Sequence, residues 1–165
     1  MKARFLIILL FLQTAGQLHA DEDVLVVDTK RMTLATALQV AQATIASCTA
    51  KGIQIGVTVV DREGNVQVAL RDTIAAPITI PISRKKAFTS ANFNSSTTAL
   101  AERADTPVGR QEMLLMSAGA LPIEVGGSLL GAVGVSGAPS GATDEECAQA
   151  GVDAVIDELE LSIDG

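Results

Sequence analysis

Three consecutive cations, Arg84, Lys85 and Lys86, stand in the stretch SRKKAFTSANF. The spacing predicts a helix with Ser83 as its N-cap, running to about Asn92, which sets all three in the first turn. There the helix dipole is already positive, and each cation is disfavoured by about 0.3–1 kcal/mol. Free backbone N–H groups, Ser83 and these side chains would together hold a carboxylate or phosphate. Arg71, leaving the preceding strand, could reach the same rim. The competing reading is a solvated basic face paired with surface acids. Met113, Leu114, Leu115 and Met116 form a soft apolar patch, either core filler or the wall of an apolar ligand pocket.

A second stretch, LLGAVGVSGAPSG, spaces Gly131, Gly134 and Gly137 around Ser136. A nucleophile elbow needs Gly-x-Ser-x-Gly, and the last position here is Ala138. The one histidine, His19, precedes the main body of the chain, so Ser136 has no imidazole there to take its proton. A Ser–Lys arrangement has no support in the spacing. The glycines also miss the Gly-x-Gly-x-x-Gly dinucleotide pattern. Gly131 and Gly134 lie within a strand pattern, where glycine marks a close backbone or helix approach. This stretch reads as architecture.

The elements that must position these residues follow from pattern. Residues 1–20 have a basic start, the apolar run Phe5 to Leu12 and a small residue at Ala20, as a secretory signal peptide does. Eight apolar residues are far short of the ~20 a membrane span needs. Cleavage after Ala20 would leave 145 residues and move the formal charge from −7 to −9, since Lys2 and Arg4 depart. So acidic a chain should seek neither nucleic acid nor anionic membrane. The expected location is periplasmic or secreted. Export favours a disulfide between Cys48 and Cys147, worth about 3–5 kcal/mol for so long a loop.

Leu34, Leu38, Ala41, Ile45 and Cys48 recur at helical spacing, opened by Thr33 and stopped by Gly52. IQIGVTVVD and VQVALR alternate as two strands about the turn DREGN. Residues 72–82, with Pro77 and Pro81, read as loop. A short helix is expected near Thr97 to Ala104, and ALPIEV and SLLGAVGVS form a hairpin about Gly126-Gly127. Thr143 and Glu146 suggest a capping box opening a last helix to about Leu161. The expected fold is α/β (α+β): residues 21–165 as one three-layer domain, a mainly antiparallel sheet flanked by helices. A Cys48–Cys147 bond would require the first and last helices to lie side by side and antiparallel.

VTVVDREGNV, SRKKAFTSA, GALPIEVGGSLLGAVGVSGAPSG and DEECAQAGVDA resemble the HbpS/GlcG-like family, which includes the C-terminal domain of PduO-type proteins. The resemblance runs from about Thr33 to Ile156. It implies a three-layer homo-oligomeric fold and binding of haem or another tetrapyrrole. It points to Arg71, Arg84, Lys85 and Thr89 as ligand-binding residues. It also places a histidine near the loop AAPITIP, where this chain has Ile78. Haem iron is held by His, Cys, Met or Tyr. The chain beyond the leader has neither His nor Tyr, so Met32, Met113 and Met116 remain. Three functions compete: a non-enzymatic binding protein for a small anionic ligand, an enzyme acting on haem or a small acid, and an oligomeric scaffold.

Overall fold

The computed structural model describes residues 25–163; the leader-like segment and His19 lie outside them. The chain enters through residues 25–33, outside any helix or strand, and forms α1 (Leu34–Ala50), capped by the Thr33 hydroxyl on the Thr36 N–H. Its C-cap is Lys51, followed by Gly52 at φ +73°. Then come β1 (Gly56–Asp61), β2 (Val66–Arg71), α2 (Thr79–Phe93), a 3-10 turn at Ala101–Arg103, β3 (Ala120–Val125), β4 (Ser128–Ser136), α3 (Gly141–Asp153) and α4 (Ile156–Ile163). The sheet order is β2-β1-β4-β3, with every neighbouring pair antiparallel. α1 and α3 cover one face and α2 the other, giving the three layers expected.

The two faces of β1 divide the core. Val57 and Val59 join Val40, Val133, Val135, Ala148 and Val152 under α1 and α3. Val60 points the other way, toward Ala87, Ala91 and Ala132 beneath α2. Cys48 and Cys147 are bonded, with their Cα atoms 5.5 Å apart, so α1 and α3 do lie against each other.

Several boundaries differ from the sequence reading. α2 starts at Thr79, four residues before Ser83, because Pro81 occupies its first turn, where a missing N–H goes unnoticed. α1 buries Ala37, Val40, Ala41, Thr44 and Cys48, while Leu34 and Leu38 face outward. Small residues line that seam because α1 meets α3 at Gly151, where an added Cβ would stand 2.8 Å from the Val40 carbonyl oxygen. Ser140 rather than Thr143 caps α3, accepting the Thr143 N–H at 3.1 Å. The expected last helix is two helices, broken at Ala154–Val155. The region near Thr97 to Ala104 is turns and the single 3-10 turn, not an α-helix.

Candidate functional site

The sheet and α2 leave a groove between them. α2 lies mainly over β4 and β1 and least over β2, so the outer flank of that face stays uncovered. A β-bulge shapes its floor: Val59 pairs with Val68, but Val60 pairs with Val66, leaving Gln67 extra. The bulge turns Val66 onto the α2 side, where it joins Thr58 and Ala69. Ile80, Arg84 and Phe88, spaced four apart on α2, form the wall. Gly64 and Asn65 form one rim. Asp61 fixes that turn by accepting N–H bonds from Glu63 at 3.0 Å and Asn65 at 2.8 Å. Met113 closes the other side.

The groove has two lobes of about 460 and 260 Å³, sharing Ile80, Arg84, Phe88 and Met113; the smaller adds Pro81 and Lys85. The larger lobe by itself has the size of a small-molecule site. Among the described residues, the Arg84 and Lys85 side chains have no ion-pair or hydrogen-bond partner. A Cβ on Gly64 would come 2.6 Å from the Phe88 ring, so glycine at this rim leaves the ring its place.

The third cation has another fate. Lys86 is buried and spans the end of the sheet, donating to the Val135 carbonyl at 3.0 Å and to Asp144 Oδ2 at 2.9 Å. Asp144 Oδ1 in turn accepts the Ala138 N–H at 3.0 Å. The basic cluster is therefore two free cations and one structural ion pair.

The other expected site residues separate likewise. Ser83 does not cap a helix: it lies in the second turn of α2, shares a 2.8 Å hydrogen bond with Thr58 Oγ1 and donates to the Ile80 carbonyl at 3.0 Å. The Arg84–Lys86 run is consequently past the helix N-terminus, and the backbone N–H anion site expected there does not exist. Arg71 is on the same sheet face, but its guanidinium donates to the carbonyls of Asp72, Thr73 and Ala75, tying down the loop before α2 rather than lining the groove. Thr89 is buried; its hydroxyl donates to the Lys85 carbonyl and accepts the Leu115 N–H at 2.8 Å. It holds the segment that carries Met113. Met116 is buried and anchors that segment, so it is core and not wall. Ile78 is exposed at the N-cap of α2, outside the groove lining.

Val66, Ile80 and Phe88 were not singled out from sequence. The four-residue spacing of Ile80, Arg84 and Phe88 would have revealed a shared face once the helix was started at Thr79. Gly134 fulfils the architectural reading: a Cβ there would press on the Ser83 carbonyl and stand 2.6 Å from the Ala87 nitrogen.

The family model described as haem degrading protein HbpS-like matches residues 32–153. The chain belongs to the HbpS-like family. A double mutant of HbpS from Streptomyces reticuli superposes with a TM-score of 0.75 at 33% identity, covering 79% of this chain and 90% of that one. The ORFY protein of Klebsiella pneumoniae gives 0.71 at 26% identity, covering 78% and 93%. PduOC, solved as a haem complex, gives 0.70 at 21% identity, covering 76% and 95%, a likeness of fold alone. No curated protein matches the sequence. Among the described residues no group of three or more His, Cys, Asp or Glu could hold a metal ion, and no helix is long and apolar enough to cross a membrane.

Proposed function

We propose that this member of the HbpS-like family is an exported, non-enzymatic binding protein for an anionic, largely apolar small molecule, with haem or a related tetrapyrrole as the ligand. The observation that carries this reading is a pair of cations with no partner among the described residues, Arg84 and Lys85, beside an apolar groove. A tetrapyrrole matches that arrangement: its flat apolar ring suits Ile80, Val66 and Phe88, and its carboxylates suit a guanidinium and an ammonium. Arg84 and Lys85 would hold the propionates, and Phe88 would stack on the ring. The HbpS-like match and the haem complex of PduOC support haem as the first candidate. Residues 1–20, read as a signal peptide, support a periplasmic or secreted location. Homo-oligomer formation belongs to the same proposal, by likeness to the family.

The test is an absorbance titration of haemin into the wild type and a Val66→Glu variant. Val66 is exposed at the bulge, so a carboxylate there should leave the melting temperature unchanged while repelling an anionic ring. A saturable spectral change in the wild type, weakened at least tenfold in the variant, is expected. No saturable change in the wild type overturns the reading.

The family's description as haem-degrading favours a second reading, turnover of the bound ring. The same cuvette separates the two. Under a peroxide or ascorbate challenge, a carrier protects the haem absorbance or leaves it unaffected, whereas an enzyme bleaches it faster than free haemin is bleached.

A further inference from the structure

The groove narrows the choice of iron ligand to one atom. Among the described residues there is no His or Tyr, and both cysteines are consumed in the Cys48–Cys147 bond. A lysine ammonium has three donors and no lone pair to offer. The thioethers remain. Met32 is 5% exposed in the core under α1, on the sheet face opposite the groove, and Met116 is 4% exposed beneath its loop. Met113 is 47% exposed and lines both lobes beside Arg84 and Phe88.

Resting on the haem reading above, we infer that the Met113 thioether would be the protein's donor to the iron at this site and would make the site select ferrous over ferric haem. The chemistry gives the direction. A thioether is a neutral, soft donor and prefers the softer, lower-charge iron, so methionine ligation raises the reduction potential. Arg84 and Lys85 act in the same sense, because two nearby positive charges disfavour the additional charge of the ferric state. The segment is held for this role just C-terminal to Met113. The Thr89 hydroxyl fixes the Leu115 N–H, and buried Met116 follows directly. The sulfur of Met113 is thus presented from an anchored loop while its own side chain stays uncommitted.

Met113→Leu tests this at nearly constant volume, with Met113→His as a second variant that supplies imidazole at the same place. Haemin is titrated into each protein in oxidised and dithionite-reduced form, and the midpoint potential is measured. In wild type the oxidised complex should show a sulfur-to-iron charge-transfer band. Met113→Leu should lose that band and bind haemin more weakly than wild type, because the iron loses its sulfur donor. Its ferrous-to-ferric affinity ratio should fall about tenfold, which for one electron is ~59 mV. Met113→His should show a nitrogen–water haem spectrum absent from wild type. Retention of band and potential in Met113→Leu, or a Met113→His spectrum identical to wild type, overturns the inference while leaving the binding reading intact. Failure of wild type to bind haemin overturns both.

Discussion

Under α1 and α3, four strand valines (Val57, Val59, Val133 and Val135) meet Val40, Cys48, Ala148 and Val152 in a continuous core. Under α2 the same two strands offer Val60 and Ala132 to Ala87 and Ala91, with the Thr58–Ser83 hydroxyl pair alongside. The first face is thick, apolar and closed by a covalent bond. The second is thin, built from small and hydroxyl side chains, and ends in an open groove. Each fully buried valine contributes about 1.5–3 kcal/mol, so most of the apolar stabilisation sits on the first face. Concentrating stability there leaves the α2 face free to stay shallow and to carry Arg84 and Lys85, which no acid among the described residues neutralises. One face holds the sheet together, and the other is available for a ligand.

The bond is where the comparison can be broken most severely. Cys48→Ala with Cys147→Ala should cost about 4–5 kcal/mol of unfolding free energy, the loop-closure value for a 99-residue separation. Urea unfolding reads that loss, and haemin titration of the folded variant should stay within about twofold of wild type. A comparable loss of affinity would mean that the two faces are not separable. A companion measurement is thiol titration of denatured, unreduced protein, which should find no free thiol.

Lys86 crosses between the faces, leaving α2 and ending on Asp144 of α3. Lys86→Met strands a buried carboxylate and should cost about 3–4 kcal/mol. Adding Asp144→Leu should recover at least half of it, because the uncompensated charge is then gone. A cost below about 1 kcal/mol for the single variant would show that the pair does not tie the layers.

The sealed face was the more legible one. Thr33, Gly52 and the Gly126-Gly127 hairpin use local rules, the cysteine pairing follows from there being only two cysteines, and all appear in the structure. The groove face was hidden for three physical reasons. Pro77 and Pro81 read as loop, yet Pro81 is tolerated in the first turn of α2. The bulge at Gln67 breaks the alternation that put Val66 with Val68, and a period of two cannot signal its own interruption. Lys86 has the same sequence character as Arg84 and Lys85. Only its helical spacing with Ser83, Ala87 and Ser90, all buried, marks it as inward. A stripe of small and hydroxyl residues at that spacing was the available signal. On the sealed face side-chain size misleads: Leu34 and Leu38 are larger than Ala37, but the close crossing at Gly151 selects Ala37 along with the expected Ala41.

Glycines at the two closest helix approaches sharpen the contrast at a smaller scale. Gly134→Ala drives a Cβ into the α2 backbone, and Gly151→Ala drives one between α1 and α3. Each should cost about 1–3 kcal/mol as overpacking. Only Gly134→Ala should also weaken haemin binding, since α2 must lift and carries Ile80, Arg84 and Phe88 with it. Equal binding by the two variants would mean that groove shape does not depend on how α2 is seated.

The smallest expected effect on stability is the most specific test of the groove. Arg84→Gln with Lys85→Gln removes two cations that have no partner among the described residues, from the second turn of α2. No hydrogen bond or ion pair among the described residues is lost, and the helix dipole acts mainly in the first turn, so unfolding free energy should change by less than about 0.5 kcal/mol. Binding should respond far more. Two propionates would lose their charge-assisted partners, and affinity for haemin should fall about tenfold at low salt. Raising the ionic strength toward ~1 M shortens the screening length to about 3 Å, so the gap between wild type and variant should narrow. Haemin dimethyl ester has the same ring without the carboxylate charges, and it should bind both proteins alike. That control separates charge from shape: a tenfold gap persisting with the ester would assign the loss to a distorted groove. Equal haemin affinity in wild type and variant at low salt would remove Arg84 and Lys85 from the site and leave them a solvated face.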